Sequence, residues 1–183
     1  MKWNNHSYLE GKHAFLGASQ YSWLNYDNDK LAERYFNFKA VERGTRLHAL
    51  AAEHIKLGIK MPKTKKTLDH YINDAIGYGM DPEVLLYYSN NCFGTADAIS
   101  FKKDFLRIHD LKTGLTPASI KQLYIYAALF CLEYEIIPGN IGMELRIYQN
   151  NDVIISNPEA DDIFPIMDKI VTFDKILQEI KEG

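Results

Sequence analysis

Apolar residues recur along this chain with two periods, one near 3.6 and one near 2, and the switches between them mark out its elements. A helix is predicted over 25–38. A second is predicted over 41–57, where Leu47, Leu50, Ala51 and Ile55 fall three or four apart and Gly58 closes the run. A third over 67–76 ends at Gly77 and Gly79. Residues 85–88 read as a short strand. Residues 95–101 and 105–110 read as two longer strands around the polar turn Lys102-Lys103-Asp104. Thr116-Pro117 supplies an N-cap and first-turn pair for a helix reaching residue 134, with Ile120, Leu123, Ala127, Cys131 and Tyr134 as its buried stripe. Gln122 and Tyr126 lie one turn apart on another face, continued by Leu129 and Glu133. Residues 141–148 and 153–156 form a second hairpin around Gln149-Asn150-Asn151-Asp152, and 158–181 a terminal amphipathic helix carrying Ile163, Ile166, Ile170, Phe173, Leu177 and Ile180. With no internal repeat and no low-complexity linker, this order predicts one α/β or α+β domain over 1–183.

The first hairpin carries the chemistry. Centred between Lys103 and Asp104, its cross-strand partners have numbers that sum to 207, which sets Asp97 opposite Asp110 with Cβ atoms about 5 Å apart. Lys112, two residues past Asp110, shares that face. Taken singly, Asp97 or Lys112 is an ordinary surface charge on a half-exposed hairpin. Together, with Ile108 and Leu111 beside Asp110 and a Thr113-Gly114 turn at the end, they make a site. Two carboxylates this close repel each other unless a cation lies between them. Oxygen ligands select hard ions such as Mg²⁺ or Mn²⁺, which bind substrate phosphates, and a neighbouring lysine can orient water or neutralise transition-state charge.

The series Gly94-Thr95-Ala96-Asp97, Asp110-Leu111-Lys112-Thr113-Gly114 and Gln122-Leu123-Tyr124-Ile125-Tyr126 resembles the RecB-like exonuclease branch of the PD-(D/E)xK nucleases. That branch carries GxxD, DxK and QxxxY motifs in this order and includes nucleases of CRISPR adaptation and phage recombination exonucleases. Gly44-Thr45-Arg46-Leu47-His48 is similar to the branch's first motif. The likeness covers about 19–134, including the segment Ser19-Gln20-Tyr21-Ser22-Trp23-Leu24; the hairpin and helix at about 141–181 follow it. It implies a restriction-endonuclease-like core, a central mixed β-sheet flanked by helices. It also implies that Asp97, Asp110, His48 and the backbone carbonyl of Leu111 hold one or two metal ions, and that Lys112 is catalytic. Gln122 and Tyr126 become DNA-binding or supporting residues, joined by Gly44 and Thr113. Gly44 lies one turn before His48 on the same face, where a missing side chain permits close approach. Glu53 is about 140° round the helix from His48 and is left out, and His54 reads as solvated.

Composition adjusts this picture. Two cysteines, Cys92 and Cys131, are too few for the four-cysteine iron–sulfur cluster of some relatives, so none is expected. A net charge of −3 is not the profile of a protein that grips DNA by bulk charge, which leaves local patches. Lys56, Lys60, Lys63, Lys65 and Lys66 are the strongest, read equally as a mobile connector or a DNA-backbone contact; Lys102 and Lys103 are weaker. Tyr21, Trp23 and Tyr26 are the aromatics most suited to stacking on unpaired bases. No run of about 18 apolar residues suggests a membrane span. Met1-Lys2-Trp3-Asn4-Asn5-His6 lacks a signal peptide's apolar core, so the expected address is the cytoplasm of a bacterium or a phage-infected host.

The function expected is hydrolysis of DNA phosphodiesters by metal-assisted attack of water, with an exonuclease favoured on the QxxxY motif and small size. Single-stranded or duplex ends are the expected substrate, and recombination, repair or end processing the setting. A homo-oligomer or a recombination partner protein fits such a role. The alternatives are a nuclease-fold module that binds nucleic acid or protein without cleavage, and a structure- or sequence-specific endonuclease.

Overall fold

Strand pairing follows the alternation read from the sequence. In the computed structural model, which describes residues 14–182, five strands form one mixed sheet in the order β1 (Asp81–Ser89), β2 (Cys92–Lys102), β3 (Phe105–Leu111), β4 (Gly142–Gln149), β5 (Asp152–Ser156). Neighbours are antiparallel except β3 and β4, which run parallel and are joined through a helix, as a parallel pair requires. The expected mixed sheet flanked by helices is therefore present. The first six residues, on which the expected address rests, lie outside the described region. Among the described residues no helix is long and apolar enough to cross a membrane.

The chain forms two compact units that divide between Arg43 and Gly44. In the first, residues 18–25 make a 3₁₀ helix and the Trp23 indole donates to the Gly17 carbonyl at 3.0 Å. Tyr21 is exposed, whereas Trp23 and Tyr26 are half-buried, which leaves one free ring of the three expected. Where two helices were expected, α1 (Asn28–Leu57) is one. Neither proline nor glycine interrupts residues 38–42, and Lys39 pairs with Glu42 at 2.9 Å across the expected gap. Gly58, at φ +67°, ends the helix as expected.

The second unit holds the sheet, α2 (Thr67–Tyr78), α3 (Lys121–Glu133) and α4 (Ala160–Glu182). Leu106 and Ile108 of β3 share a core with Leu123 and Ala127 of α3 and Ile163 of α4. Leu111 and Tyr148 share another with Ala51 and Ile55 of α1 and Tyr71 and Ile72 of α2. Asn150 and Asn151, at φ +53° and +61°, turn β4 into β5 in the left-handed geometry asparagine tolerates. The α4 stripe is buried only as far as Ile170. Phe173, Leu177 and Ile180 are exposed, and Asp174 is the buried residue of that half. Its carboxylate accepts from Ser89 Oγ (2.5 Å) and Asn91 Nδ2 (2.8 Å), which tie the helix to the β1–β2 turn, and from Gln178 Nε2 (2.7 Å) one turn along α4.

The helix after the site starts later than Thr116-Pro117 predicts. The Gln149 side chain takes the chain's backbone groups there: Nε2 donates to the Gly114 and Thr116 carbonyls at 2.6 and 2.8 Å, and Oε1 accepts Ala118 N–H at 3.1 Å. Those groups are unavailable to a helical ladder, so α3 begins at Lys121. Leu129, expected on the Gln122 face, is buried, and Tyr134, expected in the buried stripe, is exposed.

Candidate metal centre

Antiparallel pairing brings the two acids of the first hairpin to one end of the sheet. From Lys102↔Phe105 to Ala98↔His109 the partners sum to 207, as expected. The ladder stops one step short of an Asp97–Asp110 pair. Asp97 Oδ2 instead accepts the Leu111 N–H at 2.8 Å, so the side chain takes the place of a strand hydrogen bond. The same oxygen lies 3.3 Å from His48 Nδ1 on α1.

Glu83 completes the group. One ligand atom each from His48, Glu83 and Asp97 lies within 4.8 Å of the others. Glu83 was not expected among the ligands, because its strand was expected to start at residue 85. Past the β1–β2 turn Ser89 pairs with Cys92, and a bulge at Tyr88 shifts the register by one. Pro82 then pairs with Ala98 and Val84 with Ala96, which leaves Glu83 across from Asp97. Without the bulge Glu83 would face Ala98. Glu83 itself has φ +53°, a left-handed conformation that costs a glutamate roughly 1–3 kcal/mol.

Asp110 lies beside this group and belongs to a second set of contacts. Lys112 Nζ donates to Asp110 Oδ1 at 3.0 Å and to Gln122 Oε1 at 2.8 Å; Gln122 Nε2 donates to the Tyr126 hydroxyl at 3.3 Å. The late start of α3 does not disturb this face. Gly94 explains itself here, since a Cβ at that position would come within 2.9 Å of Tyr126 Cε1. A Cβ on Gly44 would come within 2.8 Å of Thr113 Oγ1, so both motif glycines mark close approaches. The Leu111 backbone is held between the two sheets of contacts, its N–H on Asp97 and the next N–H, of Lys112, on the Tyr148 carbonyl at 2.9 Å. His54 is apart from the site, with Nδ1 3.1 Å from the Ile59 carbonyl. Lys102 is occupied elsewhere: its ammonium closes the end of α2 on the Tyr78 and Gly79 carbonyls. Cys131 is buried, with its thiol pushed up to about 11, and Cys92 is half-buried, with its thiol also raised by burial.

The electrostatics fit a cation. Burial and the Asp97 charge push Asp110 above the usual carboxylate range, against Lys112 and His48, which pull it down. Glu83 is raised for the same two reasons. His48 is raised first by its hydrogen bond to Asp97 and then by the surrounding carboxylates. Asp110 Oδ2 is buried and has no hydrogen-bond partner among the described residues. An unpartnered carboxylate oxygen next to two further acids and an imidazole is the donor set a divalent ion takes.

A pH profile of stability follows. In chelator, His48 contributes stability that is present below its ordinary value of 6.5 and is lost as pH rises through its raised native value. His109, buried beside Asp110 and pushed down to about 3 by burial and by Arg146 and Arg107, works in reverse: its stability is present above 6.5 and is lost as pH falls toward 3. Between these two histidines the melting temperature in EDTA should therefore peak near pH 6.5, with the raised Asp110 and Glu83 carboxyls opposing the loss on the acid side. Manganese, competing with the proton on His48, should raise the alkaline limb more than the acid one. An equal shift at pH 5.5 and pH 8 would count against a metal centre at His48.

No family model matches the chain, and neither a curated protein nor a solved structure does.

Proposed function

We propose that the chain is a divalent-metal-dependent deoxyribonuclease of the RecB-like kind, working on single-stranded or duplex ends in a bacterial or phage-infected cytoplasm. The observation that carries this reading is the group His48, Glu83 and Asp97, with ligand atoms within 4.8 Å of one another, beside the Lys112–Asp110 pair. His48, Glu83, Asp97 and Asp110 would hold Mg²⁺ or Mn²⁺, and the Leu111 carbonyl, implied by the family likeness, would join them. A bound ion there supplies Lewis acidity and a more acidic water.

The protein's own part is orientation. An ammonium has three N–H donors, and Lys112 uses two, on Asp110 and Gln122. The third is left for a phosphoryl oxygen or the attacking water, where it neutralises charge that develops during displacement. Gln122 and Tyr126 fix where that donor points. Asp97 ties the Leu111 backbone to His48, so the cation ligands and the lysine are parts of one frame.

End-labelled duplex, single-stranded and circular DNA, each with Mg²⁺ or Mn²⁺, test the reading. Linear substrates should shorten from their ends, circles should survive, and EDTA should stop the reaction. Cutting of circles would replace the exonuclease with an endonuclease. Tight binding with no cleavage of any substrate would favour the non-cleaving module.

A further inference from the structure

The lysine run after α1 is anchored by side-chain hydrogen bonds, free of ion pairs among the described residues and attached to the site end of the sheet. Between Glu53 and Asp69 the chain holds five lysines and no acid. Lys60, Lys63, Lys65 and Lys66 are all exposed, and none has an ion pair among the described residues. The loop between them is not a loose connector. Asn73 holds both backbone groups of Met61, accepting its N–H at 2.9 Å and donating to its carbonyl at 3.0 Å. Thr64 Oγ1 donates to buried Asp69 at 2.5 Å and accepts the Lys66 N–H at 3.1 Å. Such anchoring keeps four like charges together, in a protein whose net charge is −3.

The loop's far end is fixed to the sheet. Thr67 N–H donates to Asn151 Oδ1 at 3.0 Å, and Asn151 N–H donates to Thr67 Oγ1 at 2.7 Å. Asn151 is three residues past Tyr148, whose carbonyl holds the Lys112 N–H at 2.9 Å. At no more than about 3.6 Å per residue, this path leaves the Lys66 backbone within about 20 Å of that of Lys112. Successive phosphates along one duplex strand are spaced about 3.4 Å along the axis, so the separation corresponds to no more than roughly six nucleotides.

We infer that Lys60, Lys63, Lys65 and Lys66 form a docking strip for the sugar–phosphate backbone of DNA, within about six nucleotides of the bond being cut. This rests on the nuclease reading for the identity of the polyanion. The strip reads charge and spacing, so it carries no base preference. It gives an acidic protein the local positive surface that bulk charge denies it.

Binding in EDTA separates this inference from catalysis. Fluorescent 30-nucleotide duplex is titrated with the parent and with the Lys60→Gln, Lys63→Gln, Lys65→Gln, Lys66→Gln quadruple variant from 50 to 300 mM salt. The parent should show a steep dependence of log affinity on log salt. The quadruple variant should be shallower by about 3 to 4, near 0.9 per lost phosphate contact, and bind at least about tenfold more weakly at 100 mM. Each single variant should flatten the slope by about 0.9, which keeps the test open if the quadruple protein folds poorly. Lys175→Gln on α4 should leave the slope alone. A parent that binds while the quadruple variant keeps its slope sinks the strip and leaves the nuclease reading standing. A parent that binds no DNA sinks both. Loss of binding to phosphatidylserine vesicles, with DNA binding untouched, would assign the strip to a membrane surface instead.

Discussion

Lys112→Met should lower metal-dependent DNA cleavage by about 10² to 10³, the loss typical when one preorganised donor is removed from a developing charge. The variant should stay folded. Lys112 is partly exposed and its removal opens no core cavity, but it strips buried Asp110 of the only hydrogen bond its carboxylate makes among the described residues. Asp110 is already raised by burial and by Asp97, with Lys112 pulling the other way. Without that ammonium it should take up a proton at higher pH still. The residual activity of Lys112→Met should therefore rise more steeply with pH than the parent's. Initial rates across pH 6 to 9 in Mn²⁺ measure both effects. A variant within threefold of the parent would remove Lys112 from the chemistry and leave its contacts with Asp110 and Gln122 as structural.

Much of this frame is legible in the sequence. The 207 register of the first hairpin follows from a turn whose two central residues, Lys103 and Asp104, both adopt positive φ. Alternation on either side left one register that buries Leu106 and Ile108. The Asn150-Asn151 turn was legible for a similar reason, because few residues tolerate that backbone. Two features were not. The α3 start is decided by Gln149, 28 residues beyond Lys121, and no local capping signal reveals a competing side chain from another strand. Glu83 depends on the bulge at Tyr88, and a count made back from the Ser89–Cys92 pair would have misplaced it by one residue. An acid at the start of an apolar run was a usable hint, had the strand been extended back to Asp81. A bulge shifts the count for every residue beyond it, and Glu83, five residues before Tyr88, is a candidate ligand displaced in this way.

Asp97 gives the sharpest separation of fold from function, because one oxygen serves both. Oδ2 accepts the N–H of Leu111, a residue 1 % exposed, and lies against His48. Asp97→Ala should leave that N–H unsatisfied at a cost of about 1–3 kcal/mol, a melting-temperature drop of several degrees for a chain this size. It should also reduce cleavage by about 10³ or more, since it removes the acid that joins His48, Glu83 and Leu111. Asp97→Asn keeps a carbonyl oxygen for Leu111 and drops the charge. Its melting temperature should stay within about 2 °C of the parent in EDTA, because the lost hydrogen bond is restored. Its cleavage should still fall as far as the alanine variant's, because a neutral amide is a poor substitute for a carboxylate ligand of a hard cation. Removal of the charge also weakens the hydrogen bond from Asp97, the largest upward pull on His48, and withdraws the Asp97 Coulomb attraction that adds to it. The alkaline limb of the stability profile should accordingly flatten in Asp97→Asn while the acid limb, set by His109, keeps its position. Melting in EDTA from pH 5 to 8.5 and cleavage in Mn²⁺ read the two roles independently. An Asp97→Asn protein that cleaves within tenfold of the parent would mean that the carboxylate organises the sheet end and holds no ion.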